Sequence, residues 1–273
     1  MEKVREMTDQ TNANLLALPR KQAIVEMVNK RGLVTVSELC EYFSVSPATI
    51  RSDLRELSEI GLLERTHGGA VSRQQSMFEL NTQQKQDQSI AEKRAIAAVA
   101  VKQISNGDTI ILDTGTTTFE LAKLLGRFTN LTVVTDDLPI CMWLELNTDV
   151  NVIVIGGPVR HNFHCTSGIT ALSAINKMHF DKAFLAANGV SIDNGLSTPS
   201  LDSAAMKKAL IKQSKYSFLL ADSKKLGHDS FSVFAKITEV DKVITDIGVT
   251  DAFISHAKDV GVDIVIATPE SNA

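Results

Sequence analysis

From about residue 90 onward, short apolar runs alternate with helical patterns, and this rhythm constrains the fold more than any other feature. The runs "TIILD", "LTVVTD", "VNVIVIGG", "KAFLAA", "YSFLLAD", "KVITD" and "VDIVIA" are rich in Val and Ile. Between them stand "TTFELAKLLG", "LPICMWLEL", a helical stretch near 171–177, "AAMKKALIKQS" and "DAFISHAKDVG", after a first helix over 90–104. The runs lack the polar alternation of a sheet wetted on one face. Strands buried on both faces and separated by helices imply an α/β fold with a doubly wound, mostly parallel sheet. The carboxyl ends of such strands converge on one crevice.

The first part of the chain follows different rules. A helix is expected over about 20–30, with Ile24, Val25 and Val28 on one face and Gly32 at its end. "LVT" is β-like. Thr35 and Glu38 form a capping-box signature at the start of "TVSELCEYF", which turns Leu39 and Phe43 inward. "SVS" breaks the pattern, and Ser46-Pro47 starts a third helix, a capping hydroxyl followed by proline where its missing N–H costs nothing. Ile50, Leu54, Leu57 and Ile60 make one apolar stripe, and Gly61 stops the helix. "LLERTHGGAV" reads as two extended pieces around Gly68-Gly69.

Three helices, a tight turn and a hairpin describe a winged helix-turn-helix. The face of the third helix opposite its stripe offers Ala48, Thr49, Arg51, Ser52 and Arg55, with Ser46 at its start. The first residues of a recognition helix reach base edges, and arginine serves phosphate or guanine. Arg65 and His67 fall on the wing. The competing reading is a small helical cap of a larger enzyme. Charge favours the cap, since residues 19–71 hold seven Arg/Lys and seven Asp/Glu and the whole chain carries −4.

The resulting plan has a loose arm at 1–18, a DNA-binding domain at 19–71, a Gln- and Ser-rich linker at 72–89 and the α/β domain at 90–268. With 273 residues and 44% hydrophobic content the chain has enough apolar mass for two domains. Its three cysteines, Cys40, Cys141 and Cys165, show no C-x-x-C spacing, which fits a reducing compartment. No signal-type apolar segment or membrane-length run is present. A soluble, cytoplasmic protein is expected.

"ILDTGTTTFELA" carries the strongest chemical signal. A strand ends at Asp113, then Thr114, Gly115, Thr116, Thr117 and Thr118 open a helix. Loop N–H groups and hydroxyls there suit a phosphate. Other polar residues close apolar runs: Thr135, Asp136 and Asp137; Gly156 and Gly157; Asn188 and Gly189; Asp222 and Lys224. Carboxylates at such positions suit sugar hydroxyls and Lys224 suits phosphate. Ordinary strand-to-loop turns are the alternative for each.

The stretch "ELCEYFSVSPATIRSDLRELSEIGLLERTHGGAV" closely resembles the DNA-binding domain of DeoR-type bacterial transcriptional regulators. "LDTGTT", "VVTDD", "GGPVR", "FDKAFLAANGV", "ADSKKLG" and "VDKVITD" resemble the effector-sensing domain of the same family. The resemblance places the helix-turn-helix proper at 34–53 and adds Arg160 of "GGPVR" to the effector residues. It implies a C-terminal domain similar in fold to ribose-5-phosphate isomerase, a phosphorylated sugar as effector, and a repressor of sugar catabolism that binds double-stranded operator DNA. Three positions depart from the family pattern: Ser52 replaces an arginine, Asp136 an asparagine and Ala186 a glycine.

A single winged helix-turn-helix touches few base pairs, so a homodimer or homotetramer is expected. The runner-up function is a sugar-phosphate isomerase carrying a DNA-binding domain. An isomerase needs a general base, and "LAANGV", where the resemblance places the acid-rich motif, has no carboxylate. His161, His164 and Cys165 in "HNFHC" are zinc-type ligands without a fourth partner; they read as a loop over the crevice. Neither metal nor cofactor is expected.

Overall fold

The computed structural model describes residues 19–29, 31–60, 62–66, 68–72, 79–86 and 88–268. The chain divides into two compact units, one ending at Phe78 and one starting at Glu79. The expected arm at 1–18, Lys30, Gly61, His67 and linker positions 73–78 and 87 lie outside the described residues.

In the N-terminal unit, helix α1 spans residues 19–29. It is followed by β1 (Leu33–Thr35), α2 (Val36–Phe43), α3 (Pro47–Glu59), β2 (Glu64–Thr66) and β3 (Gly69–Val71). Thr35 and Glu38 form the reciprocal capping box that their spacing announces. Ser44 ends α2 in the left-handed conformation at φ 53°. Ser46 then caps α3, with Pro47 in its first turn. Ile24 and Val28 of α1, Leu39 of α2 and Ile50, Leu54 and Leu57 of α3 close one apolar core with Val34, Leu63 and Ala70. β3 lies between β1 and β2 in an antiparallel sheet. That pairing requires glycine at position 69, where a Cβ would lie 1.9 Å from the Val34 carbonyl oxygen.

The C-terminal unit opens with α4 (Thr82–Gln86) and α5 (Ile90–Ala100). Then come β4 (Thr109–Leu112), α6 (Thr116–Ala122), β5 (Thr132–Thr135), α7 (Leu138–Asn147), β6 (Asn151–Val154), β7 (Val159–Arg160), β8 (Cys165–Thr166), α8 (Gly168–Ile175) and β9 (Phe180–Ala186). β10 (Gly189–Ser191), β11 (Gly195–Thr198), α9 (Leu201–Gln213), β12 (Ser214–Leu220), β13 (Ser232–Ala235), β14 (Lys242–Asp246), α10 (Asp251–Asp259) and β15 (Ile264–Ala267) complete it. Seven strands form a wholly parallel sheet in the order β15-β14-β12-β9-β4-β5-β6.

Alternate residues of each strand feed two cores. Ile110, Leu112, Val133, Phe184, Phe218 and Leu220 pack with α5, α6 and α7. Ile111, Val134, Ala183, Leu185 and Leu219 pack with α8, α9 and α10. This is the doubly wound, mostly parallel architecture read from the Val/Ile runs, and the direction of winding reverses between β4 and β9.

Three features differ from the sequence expectation. β6 is largely exposed, with Ile153 and Val154 at 40% and 44%, because it is the sheet's edge. β10, β11 and β13 form a separate antiparallel sheet. Part of the stretch read as linker is ordered structure of the C-terminal unit, since Glu79 begins that unit and α4 follows.

Candidate functional sites

The helix α3 separates its charges by face. Asp53 is buried, and Arg20 of α1 grips it with Nε at 2.6 Å and Nη2 at 3.2 Å from its two oxygens. Glu56 pairs with Lys21 of α1 at 2.5 Å, and the Lys21 hydrogen bond holds its carboxyl below the usual range. The acids of α3 are thus partly neutralised by the preceding helix. Ala48, Arg51, Ser52 and Arg55 are exposed and Thr49 is half-buried; Arg65 is exposed on β2. The exposed Ser46 accepts the Thr49 N–H at 3.2 Å, and the two hydroxyls lie 2.9 Å apart. Among the described residues Arg51 and Arg55 form no ion pair, so a positive face with short hydroxyls stands outward.

In the C-terminal unit a cleft of about 560 Å³, counting its part open to solvent, lies at the winding reversal. A crevice at such a reversal is where open α/β sheets take their ligands. Of the residues singled out in the sequence, Thr114, Gly115, Thr116, Thr117, Arg160 and Asn188 line it. Glu79, Lys85, Phe163, Ser203, Lys207 and Lys225 line it as well and were not anticipated. Among the described residues, Lys85, Arg160, Lys207 and Lys225 make four cations around the cleft, against the single lining carboxylate of Glu79.

Buried carboxylates hold this wall together. Asp113 accepts the Ala186 N–H at 2.8 Å and pairs with the buried Lys207, so the ends of β4 and β9 and the helix α9 meet at one group. Asp137 caps α7 through the Ile140 N–H at 2.9 Å. It also accepts the Thr114 hydroxyl at 2.9 Å and the Gly115 N–H at 3.3 Å, tethering the loop rather than facing the cleft. Burial pushes its carboxyl up to about 6 despite these donors. Asp136 lies with Asp113 beside a smaller recess that shares Thr114, Cys165 and Ser203 with the cleft. Its Oδ1 finds no hydrogen-bond partner among the described residues. Burial, reinforced by Asp113, raises the Asp136 carboxyl well above its ordinary value.

The remaining anticipated residues serve the scaffold in this structure. Thr118 donates to the Gly115 carbonyl and Thr135 to that of Leu112, each at 2.8 Å. A Cβ on Gly157 would meet the Ser167 oxygen at 2.7 Å, and one on Gly189 the His228 oxygen at 2.6 Å, whereas Gly156 has open space. Lys224 reaches Ser89 at 3.0 Å, while Lys225, one residue on in a tight 3₁₀ turn, turns to the cleft and lies 3.6 Å from Asp222. Cys165 lines the cleft, but burial pushes its thiol up to about 11, which disfavours the thiolate. His161 and His164 are not cleft residues, and among the described residues no three His, Cys, Asp or Glu side chains gather closely enough to hold a metal ion.

Comparison with known proteins agrees with both units. Residues 20–76 match the DeoR-like helix-turn-helix domain and residues 88–247 the DeoR C terminal sensor domain. The chain is 37% identical to the HTH-type transcriptional regulator YulB of Bacillus subtilis, over 90% of this chain and 95% of that protein. It is 36% identical to the lactose phosphotransferase system repressor of Staphylococcus epidermidis, over 83% of this chain and 91% of that one. Among solved structures, ribose 5-phosphate isomerase A of Methanocaldococcus jannaschii is similar at 18% identity and a TM-score of 0.37, over 49% of this chain and 53% of the other. The chain therefore belongs to the DeoR family of helix-turn-helix transcriptional regulators and is a regulator, not an enzyme.

Proposed function

We propose that this chain is a cytoplasmic repressor of a sugar-catabolism operon whose hold on double-stranded operator DNA is set by a phosphorylated sugar in the C-terminal cleft. The observation that carries the reading is the cleft's charge: four cations against one lining carboxylate, beside a Gly-Thr loop at the winding reversal. A compact anion with hydroxyls fits that lining. Thr114, Gly115, Thr116 and Thr117 contact the phosphate or its ester oxygen, Arg160, Lys207 and Lys225 supply countercharge, and Asn188 meets a hydroxyl. Asp113, Asp136 and Asp137 position this wall from behind. The kinship with a protein named as a lactose phosphotransferase system repressor supports a sugar-linked role.

On the DNA side, Ala48, Thr49, Arg51, Ser52 and Arg55 face the major groove, with Ser46 and Arg65 near the backbone. Ser52 stands where the family pattern has arginine, so it offers a hydroxyl in place of one guanidinium. A homodimer or homotetramer presents two such helices to a two-fold operator. A thermal-shift screen of sugar phosphates against the same sugars without phosphate tests the ligand class. A ligand at a hundred times its Kd stabilises the folded state by roughly 2.7 kcal/mol. Equal response to both sets would remove the phosphate from the reading. Replacing Thr116 or Thr117 by leucine is expected to abolish the response while sparing DNA binding; a mutant still released from DNA by the ligand would show the loop to be misassigned.

A further inference from the structure

The first residues of the C-terminal unit do something unusual for a segment entering a domain. Glu79 places its carboxylate between two cleft cations, 2.8 Å from Lys85 Nζ and 2.9 Å from Arg160 Nη2. Both cations also lie over the ring of Phe163, Arg160 at 4.2 Å and Lys85 at 5.9 Å. Arg160 donates to Ser203 at 2.9 Å with its other terminal nitrogen. An Arg and a Lys, held over an aromatic ring with the Arg braced by a serine hydroxyl and both converging on one oxyanion, form a ready phosphate site. Here a side chain of the protein itself fills it. The same segment is clamped to the β7–β8 hairpin, where the Thr82 hydroxyl donates to the Phe163 carbonyl at 2.9 Å and the Thr82 N–H to the Asn162 carbonyl at 3.3 Å. Burial alone would push the Glu79 carboxyl up, but Lys85 and Arg160 outweigh it and hold the group below its ordinary value, so it stays an anion.

We infer that Glu79 is a built-in competitor occupying the anion subsite formed by Arg160 and Lys85 over Phe163, and that a ligand's phosphate displaces it. The inference rests on the cleft being the ligand site. Two anions cannot share one cation pair of this size without repulsion, so entry of a phosphate frees Glu79. Thr82 then holds the segment with fewer partners. That segment, residues 79–86, follows directly in the chain from the unit that carries the outward helix α3. Ligand entry is thereby converted into release of the first segment of the C-terminal unit, without a contact between ligand and DNA-binding residues. An internal carboxylate that leaves the pair open about one-tenth of the time lowers apparent affinity about tenfold.

Calorimetric titration of the full chain with inorganic phosphate, combined with hydrogen exchange of residues 79–86, tests this. Glu79→Gln, similar in shape but uncharged, is expected to bind phosphate about tenfold more tightly than the parent. Phosphate is expected to raise exchange of 79–86 in the parent to the level that Glu79→Gln shows alone. Thr82→Val, which keeps the carboxylate and removes the anchor, is expected to raise exchange with a smaller gain in affinity. Unchanged or weaker binding by Glu79→Gln, better protection of 79–86 with phosphate, or equal gains from both variants would overturn the competitor. Arg160→Ala separates the two levels. If it abolishes parent-type binding while Glu79→Gln changes nothing, the cleft stands and the competitor falls. If the parent binds no phosphate, or Arg160→Ala binds as well as the parent, both fall.

Discussion

The outward helix α3 and the C-terminal cleft dispose of negative charge in opposite ways. On α3, Asp53 and Glu56 turn back to Arg20 and Lys21 of α1, so the arginines of the other face meet no carboxylate among the described residues. In the cleft the acids sit on the functional cations themselves, with Glu79 on Lys85 and Arg160 and Asp113 on Lys207. The first arrangement leaves a basic face exposed. The second covers the basic groups of the cleft with carboxylates of the same unit. A net charge summed over either unit conceals both, because it counts the acids without saying which bases they face.

The sharpest way to break the comparison is at Lys207. Lys207→Met leaves Asp113 buried without its cation, and loss of one partner of a buried pair costs about 3–5 kcal/mol. Urea unfolding followed through Trp143 of the C-terminal unit measures this; a loss below 1 kcal/mol would mean that the Asp113–Lys207 pair does not hold the wall of the cleft together. Next comes Arg51→Ala on the open face. With no ion-pair partner among the described residues to leave stranded, it is expected to spare stability and weaken operator binding by about 1–3 kcal/mol, roughly fivefold to 150-fold, in a gel shift. Unchanged DNA affinity would remove Arg51 from the interface.

A pH series then tests the cleft's buried acids. The Asp136 carboxyl is raised by burial and by Asp113, and Asp137 is pushed up to about 6. A carboxyl whose folded value exceeds its unfolded one stabilises the fold fully below the ordinary carboxylate range. That contribution is lost as pH rises through the folded value. Thermal stability of the C-terminal unit should therefore carry a downward component from about pH 4 through 6. Asp136→Asn removes its share, so the variant gains on the parent as pH rises and matches it most closely at pH 4; a constant offset across the series would contradict the assignment. The smallest effect is expected at Glu56→Gln. Its pair with Lys21 is exposed to solvent, and such pairs contribute little, so a clear loss in thermal midpoint would show that α1 needs it.

The two regions also differ in how far the sequence disclosed them. α3 was readable because its inward residues Ile50, Leu54 and Leu57 and its outward residues Arg51, Ser52 and Arg55 interleave within one helix at fixed spacing. The seven-stranded sheet was readable from its Val/Ile runs for the same local reason. The lining of the cleft was readable at strand ends through Thr114–Thr117 and Asn188, and through the family resemblance at Arg160. Lys207 was hidden in "AAMKKALIKQS", where nothing marks one lysine as inward. Lys225 was missed by a single position because a 3₁₀ turn sends neighbours in different directions. Glu79, Thr82 and Lys85 sit in a Gln-rich stretch that composition assigns to a linker, and only tertiary contact with the β7–β8 hairpin gives them a role. Asp136 and Asp137 were read as facing a ligand, but helix capping and loop tethering bury Asp137 behind the wall.

The parallel sheet has one more consequence, in the order of events during synthesis. The N-terminal unit is made of neighbouring helices and a short hairpin, so it can close as soon as it leaves the ribosome. The cleft depends on β4 meeting β9, and the bond from the Ala186 N–H to Asp113 spans 73 residues. Such long-range pairing is slow and waits for the intervening helices. Each newly made molecule therefore passes through an interval in which the helix-turn-helix domain is finished and the sensor domain is not.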